Sequence, residues 1–521
     1  MIKNTVFAIL GLFMACNSSQ KTIVENVQDS TLEINSISFA ETITEAELKE
    51  HLYTYASDEF EGRETGRPGQ KKAVEYLKTE YTKLGIPAAK GDGSYFQDVP
   101  LEITQLPTGS VVLNSQEYPI GTHILTFNAA DGSHAEIVYA GYGIEEEQYS
   151  DYDGLDVAGK MVLVKSGEPK NRDGSYTISG TKEKSIWSNL SESLGKRMKL
   201  ASDKGAKGIL YYDPGNFSRF KSQFRYMKNN DNGRMGLRSN ADQAFLKFFI
   251  NTDFAKVLFP EIENESTSKT IPVQLEFKVK SQNEIINSEN VIAILKGSEK
   301  PDEYVIISSH LDHIGVAPDG DINNGADDDG SGTVAMLEIA EAFKKAADVG
   351  MGPKRSIVFL HVTGEEKGLL GSLYYTDFEP IFPLKQTVAN LNIDMIGRID
   401  PKREGNRNYI YLIGSDKLST DLHQLSEDVN KKYTNLELDY TYNDENDPNR
   451  FYYRSDHYNF AKNNIPIIFY FNGTHNDYHR PSDTPDKINY DLLKNRSRLI
   501  FHTAWEVANR DQKVIVDKVS K

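Results

Sequence analysis

The chain has 521 residues, too many for one ordinary domain and enough for two to four. Its 38% hydrophobic and 26% charged content is that of a folded globular protein and excludes a disordered one. A net charge of -17, with no basic stripe to interrupt it, speaks against nucleic acid as a partner, because phosphate binding draws on clustered Lys and Arg.

At the amino terminus Lys3 precedes an apolar run from Val6 to Ala15, followed by Cys16 and the polar stretch Asn17-Ser18-Ser19-Gln20-Lys21. A short basic region, about ten apolar residues and a small residue before the break describe an export signal, too short for a membrane span. The arrangement resembles a bacterial lipoprotein signal. That likeness implies a signal peptide over 1–15, a lipidated Cys16 with a polar tether to about residue 38, and an exported protein of the cell envelope that meets membrane only through its lipid. Phe13 stands where that motif usually has Leu, and an ordinary cleaved signal with an incidental cysteine is the alternative. Cys16 is the only cysteine, so the mature chain is expected to have no internal disulfide.

From Thr44 the pattern turns helical. Leu48, Leu52 and Tyr55 share one face, and Ala73, Tyr76, Leu77 and Tyr81 share another, with the Gly-punctuated turn Asp58 to Gly66 between them. From about Leu101 to Lys280 short β-type runs dominate, among them Glu136–Ala140, Lys160–Lys165 and Gly208–Tyr212. Gly154 to Lys160 is not a phosphate loop, because Met161 replaces the required Ser or Thr and the segment enters a strand. From Asn290 the rhythm becomes strand, loop, helix. Tyr304–Ser309, Ser356–Leu360, Val388–Ile393 and Pro466–Phe471 read as buried strands of a mostly parallel sheet, and Met336, Ile339, Ala340 and Phe343 mark a helix packed on it. The expected fold is α/β, a central sheet flanked by helices over 39–104 and 286–515. A smaller β-rich α/β insert occupies 105–285.

Residues of metal-ligand type follow these apolar runs, where open α/β sheets collect their chemistry. His310 ends the first run, and Asp312 is placed to offer a carboxylate or carbonyl to its other ring nitrogen. Asp327-Asp328-Asp329, flanked by glycines, repel one another unless a cation compensates. A calcium loop over Asp319 to Gly330 fails, with Asn324 at the turn position and Gly330 where a bidentate Glu belongs. Glu365 and Glu366 form a pair in which one can hold a metal while the other takes a proton from water. Asp394 ends an otherwise uncharged strand, and His479 lies beyond the last run, where Asp483 is placed to orient it. His475 and His457 compete with His479 on spacing alone. Ser455-Asp456-His457 is no serine-hydrolase signature, since adjacent residues seldom form a triad and no nucleophile elbow is present.

Together with Phe60-Glu61-Gly62-Arg63 and Thr65-Gly66, these ordered motifs resemble the co-catalytic zinc aminopeptidases of the aminopeptidase S and aminopeptidase Y type. The resemblance implies two zinc ions, His310 and Asp394 on one, Glu366 and His479 on the other, with Asp328 bridging. It also implies Glu365 as general base, Asp312 as support for His310, and peptides as substrates. Residues 138–144 and 205–210 resemble parts of a protease-associated domain, a non-catalytic insert, although Asn171 to Ser193 has no clear place in it. The same structural group includes carboxypeptidases, glutaminyl cyclases and receptor-like binding proteins. Retention of His310 and Asp394 weighs against a one-metal cyclase, the complete ligand set weighs against a receptor, and Arg398, Arg454 and Arg480 keep a carboxypeptidase open.

Overall fold

A computed structural model of the chain describes residues 36–229, 233–238, 245–403 and 405–518; the signal and Cys16 lie outside them. The chain divides into two compact units, residues 1–99 with 288–521, and residues 100–287.

The first unit opens with helix α1 (Glu45–Tyr55), whose N-cap Thr44 accepts the Glu47 amide at 3.2 Å and donates to its carboxylate at 2.6 Å. This reciprocal pairing satisfies donors that a helix start leaves open. Helix α2 (Pro68–Leu84) starts on a proline and stops at left-handed Gly85. The segment between them, read from sequence as a polar turn, is two short helical turns that bury Phe60, Gly62 and Arg63. Local composition hides this, because the partners that bury Arg63 lie far along the chain.

The sheet of this unit uses β1 (Asn283–Leu295), β2 (Lys300–His310), β3 (Arg355–Val362), β4 (Thr387–Ile393), β5 (Tyr409–Ile413), β6 (Glu437–Asp439) and β7 (Ile467–Phe471), in the order β1-β3-β2-β4-β7-β5-β6. Pairings of β2 with β3, β2 with β4 and β4 with β7 are parallel, whereas β1 and β5 run antiparallel to their neighbours β3 and β7. Alternate residues of β2 enter different cores. Val305 and Ile307 pack with Met336, Ile339 and Phe343 of helix α3 (Gly332–Asp348), while Ile306 packs with Val358, Tyr375 and Phe460 on the other face. A strand covered on both faces has to read as one apolar run. The four parallel strands deliver their carboxyl ends to one edge. The chain leaves β2 for β3 on one side and later returns as β4 on the other, the switch point where such sheets hold ligands.

The second unit contains an eight-stranded mixed sheet, with parallel pairings among Ala130–Tyr139, Met161–Lys165, Gly208–Tyr212 and Leu246–Ile250. It has its own apolar cores around Phe248 and Phe277 and around Val162 and Ile209. No helix among the described residues is long and apolar enough to cross a membrane.

Two outcomes follow from this packing. Ile307→Ala removes fully buried methyls from the strand that carries His310, and is expected to cost about 2–5 kcal/mol in denaturant unfolding. His361 on β3 is fully buried between Tyr81 Oη at 2.8 Å and Ser309 Oγ at 3.2 Å, and burial pulls its pKa from 6.5 to about 3. The unfolded chain therefore binds a proton that the folded chain refuses. The ring's contribution is complete above 6.5 and is lost as pH falls toward 3, by about 1.4 kcal/mol per pH unit. His361→Gln should flatten the acid limb of the stability curve across that window, and an unchanged slope would contradict the account.

Candidate metal centre

Most candidate ligands sit at or just beyond a strand end. His310 is the last residue of β2, Glu365 and Glu366 follow β3 after left-handed Gly364, and Asp394 follows β4 directly. The loop after β7 carries His479. Asp328 comes from the loop that leads into α3, and its peptide bond to Asp329 is cis.

The geometry around Asp328 has two sides. His310 Nε2 lies 3.2 Å from Asp328 Oδ1 and 3.7 Å from Asp394 Oδ1. His479 Nε2 lies 3.1 Å from Asp328 Oδ2 and 3.1 Å from Glu366 Oε2. One carboxylate thus faces an imidazole and a further carboxylate on each side. His310 Nε2, Asp328 Oδ2 and Glu366 Oε1 are buried and have no hydrogen-bond partner among the described residues. Buried polar atoms in folded proteins are normally satisfied, so a convergent unsatisfied set fits a cation. The donors are imidazole nitrogen and carboxylate oxygen, which suit zinc.

The aspartates on either side of Asp328 are engaged through main-chain amides and a histidine, although Asp329 Oδ2 is buried without a partner among the described residues and lies near His310 and Asp394. Asp327 Oδ1 accepts the Gly397 amide at 2.7 Å and its Oδ2 meets His475 Nε2 at 3.1 Å. Asp329 Oδ1 accepts the amides of Gly332 and Met395, both at 3.0 Å. Asp483 Oδ2 accepts the amides of Asp327 and Asp328 at 3.0 and 3.2 Å. Asp483 therefore backs the aspartate loop rather than orienting His479, as its sequence position had suggested. Arg63 donates to the carbonyls of Tyr55, Asn324 and Gly325 at 2.7–3.1 Å and lies over the Tyr55 ring, holding the start of the loop.

Asp312 acts through two groups. Its main-chain carbonyl faces His310 Nδ1 at 3.0 Å, while its carboxylate stays 4.0 Å from that nitrogen. The carboxylate instead accepts the Thr65 hydroxyl at 2.7 Å and the Glu365 amide at 3.2 Å. The histidine alternatives are used elsewhere. His475 serves Asp327, and His457 places Nε2 2.9 Å from the Tyr452 carbonyl and stacks on Phe469. Ser455 accepts from Asn392 and Asp456 from Ser372, so these neighbours of His457 serve packing around the site.

Electrostatics follow the geometry. Burial raises the Glu365 carboxyl well above its usual range, and Glu366 and Asp394 push it the same way. Burial also opposes charge on Asp328, but His313, His310 and His479 outweigh it and hold this carboxyl well below its ordinary value. The His479 ring is lifted to about 10, burial being outweighed by Asp328 and Glu366. His310 and His479 are favoured in their charged forms by these carboxylates, and a divalent cation satisfies the same oxygens.

Sequence reasoning did not single out His313, which is fully buried with Nδ1 2.9 Å from Glu366 Oε1. Its signal was its place three residues after His310. The wall beside the ligands is apolar, formed by Met395, Phe451, Phe469, Phe471 and Tyr478, with Arg454 among them. Arg398 is paired with Asp477 at 2.9 Å.

Among known proteins, the chain is 27% identical over 244 residues to aminopeptidase YwaD of Bacillus subtilis, covering 43% of this chain and 46% of that one. It is 36% identical over 110 residues to a probable glutamate carboxypeptidase, LAMP1, of Arabidopsis thaliana, covering 21% and 15%. The chain spans less than half the length of these curated relatives. A solved aminopeptidase from Aneurinibacillus sp. strain AM-1 aligns over 93% of this chain and 98% of its own, with 18% identity and a TM-score of 0.46. Residues 290–504, the segment from which every candidate ligand comes, match the model of peptidase family M28.

Proposed function

We propose that the protein is a zinc-dependent exopeptidase that removes amino-terminal residues from peptides, and that its centre takes two zinc ions. The observation that carries this reading is Asp328, whose two oxygens face His310 with Asp394 on one side and His479 with Glu366 on the other. His310, Asp328 and Asp394 would hold one ion, and Asp328, Glu366 and His479 the second. Bound there, zinc supplies Lewis-acid polarisation of the scissile carbonyl and a water acidic enough to lose a proton near neutral pH.

The chain's own residues account for the proton. Glu365 lies on the cavity that Asp328 and Asp394 also line, and its main chain is fixed by Asp312, itself fixed by Thr65. Glu365 would take the proton of the attacking water at its side-chain oxygen and return it to the departing amine. The surplus of carboxylates favours a substrate that arrives with a free ammonium. The wall of Met395, Phe451, Phe469 and Phe471 favours an apolar or aromatic terminal side chain. Arg454 on the same wall supports a carboxypeptidase as the second reading, since a guanidinium there can meet a terminal carboxylate. Residues 100–287 we read as a protease-associated insert, supported by their separate sheet and cores.

Purified protein should hydrolyse amino-acid arylamides, lose that activity on chelation and regain it with zinc. Activity that survives complete metal removal would falsify the reading. Peptides blocked at the amino end should resist cleavage and those blocked at the carboxyl end should not; the opposite pattern selects the carboxypeptidase. Glu365→Gln should lower kcat by about 10²–10⁴-fold with little change in KM. The export reading adds a fractionation test, in which Cys16→Ser moves the protein out of the membrane fraction if the cysteine is lipidated.

A further inference from the structure

We propose that His313 is an additional ligand at the position formed by Asp328, Glu366 and His479, so that this position offers two imidazoles. The inference rests on the zinc reading given above. His313 Nδ1 lies 2.9 Å from Glu366 Oε1 and 3.7 Å from Asp328 Oδ2, and the same two carboxylates each present an oxygen 3.1 Å from His479 Nε2. One Nδ1, one carboxylate oxygen of Asp328 and one of Glu366 lie close enough together to share an ion. The two rings approach edge to face, with centroids 5.7 Å apart.

The surroundings of His313 are those of a ligand rather than of a packed core histidine. Its side chain is completely buried, its Nδ1 faces only the carboxylates of Glu366 and Asp328, and its Nε2 has no hydrogen-bond partner among the described residues. His361, another buried histidine of the first unit, engages both of its nitrogens. The ring also has a built seat. Gly325, at φ +54°, leaves room beside it: a Cβ there would stand 2.6 Å from the imidazole Cγ and Cδ2. The main chain is anchored, because the His313 amide donates to the Arg63 carbonyl and His313 pairs with Glu64 in an isolated bridge.

The two imidazoles differ in setting. The His479 side chain is 35% exposed on the loop after β7, whereas that of His313 is wholly inside. Two nitrogens and two carboxylates make a four-donor set suited to zinc or cobalt, and less suited to magnesium or calcium, which prefer oxygen.

X-ray absorption at the zinc edge of the fully loaded parent protein tests this without any substitution. Three imidazoles for two ions are expected, from His310, His313 and His479, and one fewer in His313→Leu. A parent signal of two imidazoles, unchanged in His313→Leu, overturns the proposal and leaves the zinc reading standing. Zinc titration supplies a second measurement on variants whose folding is checked by circular dichroism. His479→Ala should keep the second ion with weakened affinity, and His313→Leu combined with His479→Ala should lose it. Loss of the second ion from His479→Ala as complete as from the double variant overturns the assignment. His313→Leu alone should weaken the second ion by more than the roughly 10–100-fold that loss of an outer partner costs. Absence of any zinc from the parent overturns both this inference and the reading beneath it.

Discussion

Asp328 is a carboxylate buried beside other carboxylates, and that arrangement is costly unless positive charge compensates it. Much of the surrounding structure bears on this constraint. Asp327 Oδ1 takes the Gly397 amide and its Oδ2 faces His475, Asp329 Oδ1 takes the amides of Gly332 and Met395, and Asp483 takes the amides of the loop. The middle residue alone is left with oxygens directed at two imidazoles. Arg63 fastens the loop from the opposite end of the sequence through the carbonyls of Asn324 and Gly325.

The sheet supplies the convergence. Because β3, β2, β4 and β7 lie side by side and parallel, their carboxyl ends open on one edge and deliver Glu365, Glu366, His310, Asp394 and the His479 loop to one place. Strands covered on both faces have no room for charge along their length, so polar side chains of this kind gather where the strands stop. Position and electrostatics then reinforce each other: burial raises Glu365, and the crowding of carboxylates around Asp328 favours a cation.

Asp312 shows how much one residue can contribute through more than one group. Its carbonyl holds the His310 ring and its carboxylate holds the Glu365 main chain, so His310 and Glu365 share a support. That link ties β2 to the loop after β3 through a single side chain, itself steadied by Thr65 near the amino terminus.

Apolar runs of strand length, each followed at once by His, Glu or Asp, were legible as strands and strand ends from the order of residues alone. His310, Glu365, Glu366 and Asp394 belong to that class; the Asp327–Asp329 loop, the two early helices with their apolar faces and the α/β architecture were legible too. These features are local, and local chemistry is written along the chain. His479 was not separable from His475, because four residues of loop carry no periodicity to say which ring turns inward; Asp327 and the path of the loop decide it. Asp483 was placed beside the wrong partner for the same reason. His313 and Arg63 were invisible as site residues, since their meaning depends on Glu366 and Gly325, brought beside them only when the sheet assembles. The order of residues determined which side chains stand at strand ends. The tertiary structure decided which of them face one another, because that choice rests on contacts between segments distant in sequence, where no spacing rule reaches.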